Sequence, residues 1–148
     1  MRAVVQRVSR GRVTVDHRVA GAIGPGLLVL LGIAADDGEG EADWLTDKLL
    51  DLRIFENEHG KFDRSLREVQ GELLVVSQFT LLADTRKGRR PSFSAAAPPE
   101  HAVPLYEHVI ARARAHGLTV ATGEFGARMQ VELVNDGPVT VILDSRER

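Results

Sequence analysis

The sequence predicts an α+β fold in which a compact, barrel-like β-sheet has two main helices packed outside it. Short turns link most of the predicted strands, and only two segments repeat apolar residues at helical spacing. Residues 27–34 are apolar on both faces, as in a strand that is covered on both sides, and residues 73–80 predict a second apolar strand. A chain of 148 residues can build a proper core, so we expect a single domain over residues 1–148.

The N-terminal third predicts three strands and a helix. The strands cover residues 3–16, 17–23 and 27–34, and the turn before the third is Gly-Pro-Gly. Apolar residues then recur every three or four positions over residues 36–52, and acids crowd the first turn, where the helix dipole favours them. These features predict a first helix packed on the sheet.

The remaining segments alternate between strands, one loop and one helix. Residues 53–65 predict a hairpin, and residues 73–80 predict a buried strand followed by a long loop over 83–99. The second helix is expected over residues 101–116, with Pro104 tolerated in or near its first turn and Gly117 ending it. Three closing strands are predicted, at 118–125, 127–135 and 138–144.

Charge is segregated along a mildly acidic chain whose formal net charge is −2. Residues 1–18 carry a net charge of +4, residues 84–90 carry +3 and residues 36–72 carry −7. Such segregation fits either a basic surface for a phosphate-bearing ligand or solvated faces of no consequence. The chain has no cysteine, no signal-peptide pattern and no apolar run long enough for a bilayer, so we expect a cytoplasmic protein that does not bind membranes.

Familiar catalytic and metal-binding patterns are missing from the sequence. None of the five histidines has metal-ligand spacing, and the three on the second predicted helix are expected to face solvent. No nucleophile elbow, phosphate-binding loop or dinucleotide-binding motif occurs. We therefore expect no metal and no cofactor, and side-chain acid–base chemistry has no obvious location.

Two short stretches are unusual. In "SQFT", Ser77, Gln78 and Thr80 are polar although they end a buried strand. Ser77 and Gln78 could satisfy the backbone of a loop, or the strand-end N–H groups and the Thr80 hydroxyl could face a site. In "NDGPVT", Gly137-Pro138 interrupts a strand pattern, as an ordinary turn between two edge strands or as a cis peptide that aims carbonyl groups outward.

The two stretches together resemble the D-aminoacyl-tRNA deacylase family, also called D-tyrosyl-tRNA deacylases. "SQFTLL" precedes "NDGPVT" by some sixty residues, and "MRAVVQRVSRGRVTVD", "KGRRPSF" and "FGARMQVELVNDGPVT" resemble the same family. The likeness covers essentially the whole chain. It implies a homodimer of small barrel-like domains, which hydrolyses D-aminoacyl-tRNA to free D-amino acid and tRNA as a chirality proofreader.

The resemblance assigns Gly137 and Pro138 to the rejection of L-amino acids. The family's Gly-Pro is a cis peptide that projects from one subunit into the partner's site, where it would occupy the place of an L side chain. Many D-amino acids would then be accepted. Glycine has no side chain to clash, so glycine mischarged on tRNA(Ala) would also be removed.

The resemblance also assigns the other site residues. The Phe79 and Thr80 N–H groups would stabilise an oxyanion, and Thr80 would position the ester or a water rather than act as a nucleophile, because no base lies beside it in the sequence. Ser77 and Gln78 complete that wall, and Arg7 would hold the Gly-Pro segment through its carbonyl groups. Phe125, Gly126 and Met129 would help to form the pocket for the terminal adenine. For Phe125 and Met129, plain core packing is the alternative. Contacts with the tRNA backbone would come from Arg86, Lys87, Arg89 and Arg90.

Two other functions are compatible with the same residues. A related editing deacylase could have a trans Gly137-Pro138 peptide and admit a small L-residue. A module that keeps the fold but only binds RNA is the other possibility, although the acidic balance of the chain counts against a dedicated RNA binder.

Overall fold

Strand β1 (Arg2–Val15) organises the sheet, because three other strands pair with it. The computed structural model describes residues 1–148. The other strands are β2 (Arg18–Ile23), β3 (Gly26–Gly32), β4 (Phe55–Glu56), β5 (Phe62–Arg64), β6 (Glu72–Ser77), β7 (Val120–Thr122) and β8 (Gln130–Asp144). β1 pairs antiparallel with β3 along its first half, with β2 along its second half and with β8 on its other edge. Strands β6 and β7 extend the sheet in parallel from β3.

The predicted α+β class is confirmed: the sheet curls into a nearly closed barrel, and helices α1 (Glu39–Asp51) and α2 (Pro99–Ala115) pack outside it. Alternate residues of β3 and β6 face the two sides. Leu28 and Leu74 lie in the smaller core inside the barrel, whereas Leu27 and Leu73 belong to the larger core under the helices. This alternation explains why both strands are apolar throughout. Neither helix is long and apolar enough to cross a membrane.

Several strand boundaries differ from the sequence prediction, and the strand predicted over 118–125, for example, spans only Val120–Thr122. The strand predicted over 73–80 ends at Ser77, because local hydrogen bonds of a 3-10 turn over Phe79–Leu82 replace the sheet ladder. The strands predicted over 127–135 and 138–144 are one continuous strand, β8, because β1 pairs with it on both sides of Gly137-Pro138. Pairing with a long neighbouring strand therefore overrides the usual strand-breaking effect of glycine and proline.

Helix α2 begins earlier than the sequence predicts. Its first residue is Pro99, which suits this position because the first helical N–H groups need no partner within the helix. Pro104 therefore lies beyond the first turn, and the prediction that it sits in or near that turn is wrong. The ring removes one backbone hydrogen bond from the helix, while Leu105, Tyr106 and Val109 remain buried against the sheet.

A buried ion pair joins the first residue to the loop before α1. The α-ammonium group of Met1 donates to Asp37 Oδ1 at 2.7 Å and to Ser145 Oγ at 2.8 Å, and Asp37 Oδ2 accepts from the Ala34 N–H at 2.7 Å. The Met1 side chain is fully buried and that of Asp37 is 4% exposed. This pair anchors both ends of the chain to the sheet.

We expect Asp37→Asn to destabilise the fold strongly. The substitution leaves a buried ammonium group without its counter-charge, which costs about 3–5 kcal/mol in comparable pairs. Urea unfolding measures the effect as a shift in midpoint. The neighbouring Asp36 forms an ion pair with Arg146 and is 79% exposed, so Asp36→Asn is a matched control that should leave the midpoint nearly unchanged. Equal midpoints for the two variants would contradict a structural role for the buried pair.

Candidate active site

The Ser77–Thr80 segment turns sharply away from the sheet at the end of β6. Gln78 N–H donates to Leu31 O at 2.8 Å as the last sheet bond, and the 3-10 turn begins at Phe79. Gly32 makes this turn possible, because a Cβ there would lie 2.5 Å from Leu82 Cδ2 and 3.0 Å from Gln78 O. Phe79 and Thr80 open the turn, and the first N–H groups of a helical turn have no partner within it.

An apolar cavity of about 120 Å³ opens beside this turn. The predicted residues Phe125, Gly126 and Met129 line it from one side, and Ser77, Gln78 and Phe79 line it from the other. The structure thus brings together two predicted groups that are some fifty residues apart in the sequence. A cavity on the order of 150 Å³ accommodates benzene in another protein, so a flat heterocyclic ring is a suitable occupant.

Phe125 and Met129 pack against the core and also line the cavity. Phe125 packs against Tyr106 of the core, with ring centroids 5.9 Å apart, and also faces the cavity. Met129 fits closely against Gly123, where a Cβ would lie 2.5 Å from its sulfur. The two side chains are therefore half-buried residues that pack against the core and form part of the cavity wall.

No basic group is bonded to Thr80. The Thr80 hydroxyl oxygen accepts a hydrogen bond from Gln78 Nε2 at 3.0 Å, and an amide N–H cannot take a proton from it. The Gln78 side chain is therefore bonded to Thr80 and does not satisfy a loop carbonyl. With one lone pair engaged, the hydroxyl can still donate to a ligand. This arrangement suits a positioning role better than a nucleophilic one.

Gly137 and Pro138 lie on a bulge of β8 opposite Arg7. Gln6 pairs with Thr140 and Val8 pairs with Asn135, so residues 136–139 of β8 face Arg7 alone. The peptide bond between Gly137 and Pro138 is cis, so the interruption is not an ordinary turn between two strands. Both residues are exposed, and the bulge presents their backbone to solvent.

Arg7 supports this bulge from below and is itself only 7% exposed. Its Nε donates to Asp136 O at 2.8 Å, Nη1 donates to Ile54 O at 2.9 Å and Nη2 lies 3.4 Å from Glu56 Oε1. The guanidinium carbon also lies 5.5 Å from the centroid of the Phe62 ring. Arg7 therefore donates to the carbonyl of Asp136, next to the Gly-Pro pair.

Asn135 is a supporting residue that the sequence analysis missed. Its Oδ1 accepts from the Val139 N–H at 2.7 Å, and its Nδ2 donates to Val139 O at 3.2 Å and to Thr140 Oγ1 at 3.0 Å. The side chain thus spans the base of the bulge and fixes both ends. The preference of asparagine for bonding nearby backbone groups is the signal that could have identified it.

Gly137 and Pro138 do not line the cavity of their own chain. Ser77 pairs with Leu31, which pairs with Ala3, whereas the bulge faces Arg7, four residues further along β1. Four strand residues span about 13 Å. The structure therefore leaves the two predicted walls of the site apart within one chain.

The basic segment Arg86–Arg90 projects between two backbone hydrogen bonds that join Asp84 and Ser92, at 2.7 and 2.9 Å. Arg86 is bound to Asp84 through Nε at 2.9 Å and Nη2 at 2.7 Å. The side-chain and backbone hydrogen bonds from Arg86 lower the pKa of Asp84 to about 2, so this pair persists at neutral pH. The exposed residues Lys87, Arg89 and Arg90 form no ion pair.

His101 and His108 contact other parts of the protein, so the expectation that they simply face solvent is corrected, whereas His116 is exposed. His101 Nε2 lies 2.6 Å from Asp37 O, and His108 Nε2 lies 2.6 Å from Asp43 Oδ1. Both contacts arise because α2 packs along α1 and the loop before it. No group of three or more His, Cys, Asp or Glu residues is arranged to hold a metal ion.

Comparisons with known proteins find relatives that match almost the whole chain. A relative from Anaeromyxobacter dehalogenans named D-aminoacyl-tRNA deacylase is 64% identical over 146 residues, covering 99% of this chain and 98% of the relative. The solved structure of a c-Myc DNA unwinding element binding protein has a TM-score of 0.91 and 44% identity, with 97% and 98% of the two chains covered. A probable eukaryotic D-amino acid tRNA deacylase, with a TM-score of 0.85, 20% identity and coverage of 96% and 97%, shares the fold.

The family model described as D-Tyr-tRNA(Tyr) deacylase matches residues 4–144. The match includes β1 with Arg7, the Ser77–Thr80 turn and the Gly137-Pro138 bulge. It spans almost the entire described fold and all the candidate site residues. The chain belongs to the D-Tyr-tRNA(Tyr) deacylase family.

Proposed function

We propose that this chain hydrolyses the ester bond of D-aminoacyl-tRNA and releases the free D-amino acid and tRNA. The observation that carries the proposal is the 3-10 turn at Phe79 and Thr80, whose first N–H groups open beside an apolar cavity of about 120 Å³. The cavity suits the adenine of the terminal nucleoside, and the turn suits the ester attached to its ribose. Residues 1–148 act as one deacylase domain.

The chemistry rests on positioning and on oxyanion stabilisation. The Phe79 and Thr80 N–H groups stabilise the negative charge that develops on the ester carbonyl oxygen. The Thr80 hydroxyl orients the ester or the attacking water, and Ser77 and Gln78 hold the turn in place. The 2′-OH of the terminal adenosine helps to activate the water. Aminoacyl esters are intrinsically labile, so positioning contributes much of the rate.

Selectivity for the D-form comes from the backbone at Gly137 and Pro138. We assign these residues to the site of a partner subunit in a homodimer, where they occupy the space that an L side chain needs. Their exposure, their separation from the cavity of their own chain and their support by Arg7 and Asn135 all favour this role. A backbone wedge serves well because it has no rotamer that can move aside.

The open edge of β8 supports the homodimer. β8 pairs only with β1, and Val131, Val134 and Ile142 are exposed along it, Ile142 to 66%. An exposed edge strand with apolar side chains is a natural surface for self-association. Light scattering on the purified chain measures the mass directly, and a monomer at micromolar concentration would contradict a site shared between subunits.

The same geometry predicts that esters of many different D-amino acids are hydrolysed and that glycyl esters are hydrolysed as well. A D side chain points away from the wedge, so its size matters little, and glycine has no side chain for the wedge to exclude. We therefore propose that glycine mischarged on tRNA(Ala) is also removed.

Lys87, Arg89 and Arg90 face the tRNA phosphates, with Arg86 shaping the segment. Aminoacyl-tRNA is used in the cytoplasm, and we place the protein there.

Hydrolysis of matched D-Tyr-tRNA and L-Tyr-tRNA by the purified chain tests the proposal. We expect turnover of the D-ester and none of the L-ester above the spontaneous rate. Turnover of both esters would contradict the exclusion of L side chains by Gly137 and Pro138, and it would indicate a less selective esterase.

A nucleic-acid-binding role without catalysis is the second candidate. The exposed charges of Lys87, Arg89 and Arg90 favour it, since basic segments bind phosphate backbones without sequence specificity. Salt-dependent binding of tRNA with no turnover of either ester would place this candidate first.

A further inference from the structure

Two aromatic side chains touch at the mouth of the cavity. Phe79 lines the cavity and is 56% exposed, and its ring centroid lies 5.1 Å from that of the half-buried Phe93 in an edge-on arrangement of 74°. At this degree of exposure, much of the Phe79 ring is in contact with water and is not packed in the core. The pair therefore offers aromatic surface directly outside the cavity.

The backbone holds Phe93 in place on both sides. Ser92 exchanges two hydrogen bonds with Asp84, and the following residues are tied to the loop after β3 by Ala35 N–H to Ala95 O and Ala97 N–H to Ile33 O, both at 2.9 Å. A ring fixed in this way loses little conformational freedom when a ligand binds, so its surface is already prepared for contact.

Unpaired positive charges lie next to this pair in the chain. Lys87, Arg89 and Arg90 precede Phe93 by three to six residues and belong to the segment that the Asp84–Ser92 hydrogen bonds close. Exposed aromatic rings next to lysine and arginine form the usual surface for unpaired nucleotides, because each base stacks while its phosphate meets a cation.

We propose that Phe79 and Phe93 form a stacking platform for the unpaired nucleotide that precedes the terminal adenosine of the tRNA acceptor end. This inference rests on the proposed function, in which the terminal adenine occupies the cavity. The preceding nucleotides of the tRNA must then leave the cavity past Phe79, which lines it, and past Phe93, which contacts Phe79. The phosphate between the two nucleotides faces the basic segment. The platform adds a contact that a single aminoacylated nucleoside cannot make.

The test compares two D-tyrosyl esters, one on tRNA and one on adenosine alone, with the full chain and its Phe93 variants. Phe93→Leu keeps apolar cover over Phe79 but removes the aromatic face, and Phe93→Trp keeps that face. We expect Phe93→Leu to raise KM for D-Tyr-tRNA by about tenfold with kcat unchanged, and to leave the adenosine ester unaffected. We expect the separate variant Phe93→Trp to keep the wild-type KM for D-Tyr-tRNA.

Salt dependence separates stacking from charge. Arg89→Ala should lower the slope of log KM against log salt by about one, whereas Phe93→Leu should leave that slope unchanged. Equal losses on both esters would overturn the platform, because they would indicate a disturbed cavity. Unchanged kinetics on both esters would overturn it as well.

Binding of the trinucleotide CCA, measured against adenosine alone, decides the platform independently of catalysis. Weaker CCA binding in Phe93→Leu, with adenosine binding unchanged, supports the platform even where the wild type fails to hydrolyse D-Tyr-tRNA, an outcome that overturns only the proposed function. Identical CCA binding by the wild type and Phe93→Leu overturns the platform.

Discussion

Gly137→Ala is expected to reduce discrimination between D- and L-aminoacyl esters by about 10- to 200-fold, the range that misfit of one small group produces in a binding pocket. The backbone φ of Gly137 is +150°, a conformation that side chains rarely adopt. A Cβ there would lie 2.7 Å from Val139 Cγ2, 2.8 Å from Val139 N and 3.4 Å from Arg7 Nη2. Two of these neighbours are backbone or well-supported groups, so the bulge itself must shift.

The direction of the effect distinguishes a wedge from a structural glycine. A displaced bulge leaves the partner's site open on the side where the L side chain would enter, so hydrolysis of L-Tyr-tRNA rises. Hydrolysis of D-Tyr-tRNA changes little, because the D side chain does not meet the wedge. The ratio of kcat/KM for the two esters, measured on one preparation, reports this change without depending on the fraction of active protein.

Gly117→Ala is the matched control for Gly137→Ala. Gly117 also has a positive φ, +85°, but a Cβ there would meet nothing within 4 Å, and the residue lies at the end of α2 away from the site. Both variants add backbone strain, yet only Gly137→Ala moves the bulge. An unchanged D-to-L ratio in Gly137→Ala, with stability lowered as in Gly117→Ala, would reduce Gly137 to a structural role.

Much of the fold could be predicted because it follows from local periodicity. Residues 27–31 and 73–76 are apolar on both faces, which predicts strands under two layers, and the structure has β3 and β6 between the barrel interior and the helices. The boundaries that failed depend on distant partners. β8 continues through Gly137-Pro138 because β1 holds it on both sides, and nothing within residues 130–144 reveals that pairing.

The site followed the same division. Ser77–Thr80 could be predicted because polar residues at the end of a buried strand need an explanation, and Arg7 followed from the family resemblance. Asn135 carries only the general preference of asparagine for bonding nearby backbone groups, and the bulge that it spans is created by β1. Phe93 could not be predicted, because it meets Phe79 through a loop that the Ala34–Ala96 bridge holds after folding. The residues around Phe93 carry no signal of such a contact.

Arg7→Lys is expected to lower kcat/KM for D-Tyr-tRNA by about 100-fold, the loss that a misplacement near 1 Å can cause, and to raise hydrolysis of the L-ester. Lysine keeps the positive charge but offers a point donor instead of a planar fork. It cannot reach Asp136 O and Ile54 O together, as Arg7 does at 2.8 and 2.9 Å. One buried carbonyl therefore loses its partner, which costs about 1–3 kcal/mol of stability.

Arg12→Lys supplies the control, because Arg12 lies on the same strand and its ion pair with Glu132 is exposed, with 52% of the arginine side chain in water. That variant should keep wild-type stability, activity and D-to-L ratio. For Arg7→Lys, a lower unfolding midpoint with an unchanged ratio would mean that Arg7 only stabilises the fold. A changed ratio, measured well below the unfolding midpoint, would mean that the guanidinium sets the position of Gly137 and Pro138, since Arg7 donates to the Asp136 carbonyl beside them.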